Sequence, residues 1–166
     1  MKKQLFVILL TLFSISAISQ TNTLLSKEET INYINKKVQE AIGHERIWGS
    51  KGSSEKVLEC GFKKIYSGEN IKYEYKDGPY SFVVEFNPAH IKTLQDITVN
   101  GNKIVGNILI VLIGQTAKST ESGKLESVNY ITMVYLKSDP DNYNRISKAL
   151  LHLRDLYKAE DDPFDN

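Results

Sequence analysis

The chain has 166 residues, of which 21 are basic and 20 acidic, for a formal net charge of +1. That balance gives no general attraction to nucleic acid or to an anionic membrane surface. A single cysteine, Cys60, excludes an internal disulfide, and the length suits one domain with a sizeable core.

The opening "MKKQLFVILLTLFSISAISQ" reads as an export leader. Lys2 and Lys3 precede an apolar run from Leu5 to Ile15, and Ala17-Ile18-Ser19 offers the small residues a signal peptidase reads. The run is shorter than the roughly 20 residues of a membrane span, and no cysteine follows the cut to carry lipid. Cleavage is expected between Ser19 and Gln20. Residues 1–19 are then a signal peptide, and residues 20–166 are one exported domain, in the periplasm or outside the cell, without stable membrane insertion. Cleavage removes two lysines and no acid, so the mature chain sits near −1.

"SKEETINYINKKVQEAIG" (26–43) has Ser26 followed three positions later by Glu29, the pattern of a capping box. Ile31, Ile34, Val38, Ala41 and Ile42 share one helical stripe, with Gly43 as the stop. "GSKGSSEK" (49–56) reads as a flexible connection. Its glycines and lysine do not match a phosphate-binding loop, whose spacing and flanking strand and helix are missing.

From about residue 56 to 136 the period changes to two. Leu58, Cys60 and Phe62 are expected on one strand face, with Cys60 a buried structural thiol. Ile71, Tyr73 and Tyr75 alternate with Lys72, Glu74 and Lys76. Beyond the Asp77-Gly78 turn, Tyr80, Phe82, Val84 and Phe86 share a face, which makes a hairpin with one aromatic side. "AHIKTLQD" after Pro88 reads as irregular. Ile97–Val99 and Lys103–Ile113 flank Asn100-Gly101, a two-residue hairpin signal. "TAKSTESGK" (116–124) reads as a polar loop and "LESVNYITMVYLK" (125–137) as one long final strand. That is about six antiparallel strands.

In the ending, Asp139 and Pro140 announce a helix. Ile146, Ala149, Leu150, Leu153, Leu156 and Tyr157 form its apolar stripe, and His152, off that stripe, is expected in water. Residues 159–166 read as an acidic tail. Its consecutive carboxylates lack the alternation and glycine turn of a calcium loop.

The expected fold is therefore α+β: an N-terminal helix, a curved antiparallel sheet or partial barrel, and a closing C-terminal amphipathic helix. The long strand "ESVNYITMVYLK", the turn "SDPD" and the helix "NRISKALLHLRDLY" resemble the pleckstrin-homology-like (PH-like) architecture. The ending, with Lys148, Ala149, Leu150, His152, Leu153, Asp162, Pro163 and Phe164, is similar to that of small exported bacterial proteins of uncharacterised function. Neither resemblance carries a catalytic signature. Phosphoinositide binding in pleckstrin-like domains implies a basic pocket, and here Glu59, Glu69 and Glu74 dilute Lys63, Lys64, Lys72 and Lys76.

For chemistry, His44, His90 and His152 lie far apart, and no Cys-x-x-Cys or His-x-x-x-His pair suggests a metal. No nucleophile elbow is present, and Glu85 is a lone acid in an apolar strand. No catalytic residue, metal ligand or cofactor is expected. What remains is a non-enzymatic interaction module for another exported protein. The alternatives are a binder of a small apolar ligand, or an unrecognised hydrolase. Candidate ligand-binding residues are Trp48, Tyr73, Tyr75, Tyr80 and Phe82, which either line a cavity or fill the core.

Overall fold

The computed structural model describes residues 25–48, 53–64, 69–97, 103–121 and 123–161. The expected leader, the expected Asn100-Gly101 turn and the residues from Asp162 onward lie outside these, as does the side chain of Trp48.

Helix α1 (Lys27–Gln39) starts as its sequence requires. The Glu29 amide donates to Ser26 Oγ at 3.2 Å, and the Ser26 amide donates to Glu29 Oε2 at 2.8 Å. Ile31, Ile34 and Val38 are buried, whereas Ile42 is 42% exposed because the helix stops before it. Gly43 takes a φ of +84°, and its amide donates to the Val57 carbonyl at 2.8 Å, turning the chain into the sheet.

Among the described residues nine strands follow: β1 (Glu45–Trp48), β2 (Ser53–Lys64), β3 (Ile71–Asp77), β4 (Tyr80–Phe86), β5 (Ile91–Ile97), β6 (Val105–Leu112), β7 (Ala117–Glu121), β8 (Lys124–Val128) and β9 (Tyr130–Leu136). They form a six-stranded sheet in the order β1-β2-β3-β4-β7-β8 and a three-stranded sheet in the order β5-β6-β9. All pairs are antiparallel, and the large sheet is not closed. The fold is α+β, with more strands than the hydrophobic period announces. Ser53–Lys56, read as connection, pairs with β1, and the polar 117–121 stretch pairs with β4. The final strand breaks at Asn129, where the chain leaves the large sheet and enters the small one. The Leu112 amide fixes this corner by donating to the Asn129 carbonyl at 2.8 Å.

A short 3₁₀ turn, Pro88–His90, leads into β5. Helix α2 (Asn142–Asp161) buries Ile146, Leu150, Leu153 and Tyr157 and packs on that turn, on β5 and β9, and on α1. It begins two residues beyond Pro140. Asp139 Oδ1 accepts from the Asp141 amide at 3.0 Å, and the Asp141 carbonyl accepts from the Arg145 amide at 2.9 Å. His152, expected in water, is half-buried. Its Nε2 sits 2.8 Å from the Leu25 carbonyl oxygen and so carries the hydrogen. Lys27 adds an ion pair to Glu160 and lies 3.7 Å from the centre of the Tyr157 ring. The start of α1 is thus tied to the end of α2.

Two details explain how α1 seats on the large sheet. A bulge between Val57 and Glu59 turns Leu58 outward, to 50% exposure, and keeps Val57, Cys60 and Phe62 buried. Leu58 therefore does not share the face of Cys60 and Phe62. Beyond Lys56 the edge of β2 has left β1 behind, and α1 serves it instead. The Phe62 amide donates to Asn35 Oδ1 at 2.6 Å, and Asn35 Nδ2 donates back to the Phe62 carbonyl at 2.9 Å. The close approach needs Gly61, since a Cβ there would stand 3.0 Å from Asn35 Oδ1 at a φ of +151°.

Candidate ligand-binding cleft

The inner face of the large sheet divides into two parts. Under α1 and the small sheet, Phe62, Tyr73, Tyr75, Phe82 and Phe86 form one aromatic cluster with ring centres 5.3–6.1 Å apart. Tyr73 is fully buried, and its hydroxyl accepts from the Val134 amide at 3.3 Å, which joins the two sheets through one side chain. Burial raises its pKa well above the usual phenol value. Tyr75 is 2% exposed and donates its hydroxyl to Asp77 Oδ2 at 2.7 Å, with the buried Arg46 guanidinium 5.1 Å from its ring centre. Burial raises its pKa as well, against the opposing charge of Arg46. These two tyrosines are core.

Toward the β7–β8 turn the same face is open, with Glu121, Lys124 and Glu126 exposed. A cleft of about 560 Å³ opens between it and β9, lined by Tyr80, Phe82, Val84, Ser119, Glu121, Lys124, Glu126, Val128, Tyr130, Ile131 and Thr132. The structure thus separates the five residues picked from the sequence. Tyr80 and Phe82 face the cleft, Tyr73 and Tyr75 fill the core, and Trp48 has its backbone in β1, the far edge strand of the large sheet.

The register orders the cleft floor into rows. Phe82 lies across from Glu121 and Glu121 from Lys124; Val84 lies across from Ser119 and Ser119 from Glu126; Ala117 lies across from Val128. The floor is therefore charged at the β7–β8 turn and apolar toward Val128 and Ile131. At the charged end Tyr80 lies near enough to Glu121 for the carboxylate to act on its hydroxyl. Partial burial, then the charge of Glu121, pushes the Tyr80 pKa up to about 12. Tyr130, 54% exposed, stands on the opposite wall.

Sequence reasoning missed the β7 and β8 side of this site. Every residue of "AKSTE" beyond Ala117 is polar, so no apolar alternation marks a strand. The usable signal was the Ser122-Gly123 pair, a tight-turn dipeptide between two segments able to pair as strands.

Other candidate chemistry stays apart from the cleft. Cys60 is buried, its Sγ donates to the Val38 carbonyl at 3.2 Å, and burial, with the charge of Glu59, pushes its pKa up to about 12. A thiol so protonated is a poor nucleophile. Glu85 lies on the outer face, across from Lys72 and Lys118, and accepts from Asn70 Nδ2 at 3.2 Å. Among the described residues no three His, Cys, Asp or Glu side chains converge as a metal site, and no helix is long and apolar enough to cross a membrane.

No family model matches the chain, and neither the curated proteins nor the solved structures yield a significant match.

Proposed function

We propose that the protein is an exported, non-catalytic binding module that holds a small, partly apolar molecule in the cleft between the β7–β8 end of its large sheet and β9. The observation that carries this reading is the uncovered inner face: helix α1 and the small sheet seal one half and leave the other open. The volume of about 560 Å³ falls inside the range of roughly 300–1,000 Å³ over which proteins enclose small ligands. Phe82, Val84, Val128 and Ile131 supply apolar contact, while Tyr80, Ser119 and Thr132 supply hydroxyl groups that can orient a guest. A lining without histidine or cysteine favours holding over turnover.

The test is fluorescence of 1,6-diphenylhexatriene, a neutral apolar probe, titrated with the full chain and with Val128→Trp. Substitution there fills the apolar end of the floor at an edge strand. Enhancement with the wild type and its loss in the variant support the reading. No enhancement with correctly folded wild type overturns it and returns the choice to a protein partner, to be sought by crosslinking.

A further inference from the structure

The cleft floor has a polarity gradient and an unmatched charge, and together they specify a guest. This step rests on the binding reading above and names the class of molecule. Three charged side chains line the cleft: Glu121, Lys124 and Glu126. Lys124 lies directly across from Glu121 and two residues from Glu126 on the same strand face, without a close ion pair to either. Glu126 lies across from the uncharged Ser119, and among the described residues no ion pair reaches it. The charged end of the cleft therefore carries one carboxylate more than it has cations. Two residues along the same strand face stands Val128, and past the Asn129 corner stand the exposed Tyr130 ring and Ile131.

We infer that the cleft selects an amphiphile with a cationic head, an ammonium or guanidinium group placed at Glu126, and an apolar body laid along Val128 and the Tyr130 ring. A carboxylate and aromatic faces lining one cleft suit a cation and disfavour an anion. The direction of the gradient fixes the orientation, head toward the β7–β8 turn and tail toward the Asn129 corner. Lys124 does not make the site an anion receptor, because two carboxylates, Glu121 across from it and Glu126 beside it, outnumber it.

The test uses three probes with one decyl tail, each titrated calorimetrically into the full chain below its micelle concentration: decyltrimethylammonium, decyl maltoside and decyl sulfate. The cationic probe is expected to bind about fivefold tighter than the neutral one, and the sulfate most weakly. Glu126→Gln should abolish that preference. Lys124→Gln should strengthen it. The substituted positions are exposed on an edge strand, and an unchanged thermal melt confirms that each variant folds. Equal binding of the cationic and neutral probes, a preference for sulfate, or a cationic preference that survives Glu126→Gln overturns the inference while leaving the cleft in place. Binding of none of the three overturns the cleft itself.

Discussion

Along β2, β3 and β4 the inner face of the large sheet is closed by α1, by the small sheet and by its own aromatic side chains. Along β7 and β8 the inner face continues in the same register; Ala117 is still buried and Val128 half-buried, but toward the turn Glu121, Lys124 and Glu126 are exposed. The closed half contains Tyr73, fully buried and hydrogen-bonded to the Val134 amide; the open half looks across the cleft to Tyr130, on β9 of the small sheet and 54% exposed. Both tyrosines sit on strands of similar length in the same domain. The difference shows that alternation decides which residues share a face, whereas the elements packed opposite decide whether that face is core or site.

The largest effect should come from removing the element that completes the closed half. Helix α2 buries Ile146, Leu150, Leu153 and Tyr157 and holds the start of α1 through His152 and Glu160. Deleting residues 142–166 is expected to abolish folding, seen as loss of a cooperative circular dichroism melt. A folded truncation product would mean that the closed half does not depend on α2.

Next in size are single substitutions that set one half against the other. Phe86, fully buried among the rings of the closed half, is expected to cost about 3–5 kcal/mol on change to alanine. Tyr130→Ala, in the open half, should shift urea stability by no more than about 0.5 kcal/mol while weakening occupancy of the cleft. Equal costs in the two halves would break the comparison.

Below these comes the contact that seats α1 on β2. Asn35→Ala leaves the Phe62 amide and carbonyl without their side-chain partner, and an expected loss of about 1–3 kcal/mol follows in chemical denaturation. Leu58→Thr, at the outward bulge nearby, should be close to neutral. A cost at Leu58 larger than that at Asn35 would place the bulge residue inside the core after all.

Much of the closed half was legible because each element carries two agreeing signals. Ser26 and Glu29 mark the start of α1 while Ile31, Ile34 and Val38 mark its face. Asp77-Gly78 marks the turn while Tyr73, Tyr75, Phe82 and Phe86 mark the buried side of the hairpin. The open half had no such agreement. Ser119 and Glu121 look into a cleft, so their strand lacks the apolar alternation that packing imposes elsewhere. The break at Asn129 was hidden for another reason. Val128, Tyr130 and Thr132 keep a period of two across it, although the chain changes sheet. Leu58 was misplaced because a bulge adds one residue to the strand and reverses the alternation beyond it. The aromatic hairpin suggested a binding surface, and Tyr80 and Phe82 do reach the cleft. Which of its tyrosines become core depends on α1 and β9, which no local pattern encodes.

Titration sharpens the comparison, because Cys60, Tyr73 and Tyr75 all belong to the closed half and all have raised pKa values through burial. A raised value means that the folded chain holds its proton more tightly than the unfolded chain does. The associated stability is complete below the unfolded values, about 8.5 for a thiol and about 10 for a phenol, and is lost as pH rises from there toward the folded values. Stability should therefore begin to fall above pH ~8.5 and fall more steeply above pH ~10, by about 1.4 kcal/mol per pH unit for each buried group that titrates only after unfolding. Urea melts at half-unit steps from pH 7 to 11 would measure both slopes. Cys60→Ala should remove the first decline and leave the second. Tyr73→Phe should lower stability at pH 7, since the Val134 amide loses its acceptor, and should make the slope above pH ~10 shallower. An alkaline slope unchanged by both substitutions would place the titrating groups outside the closed half, and the assignment of Tyr73 to the core would fail with it.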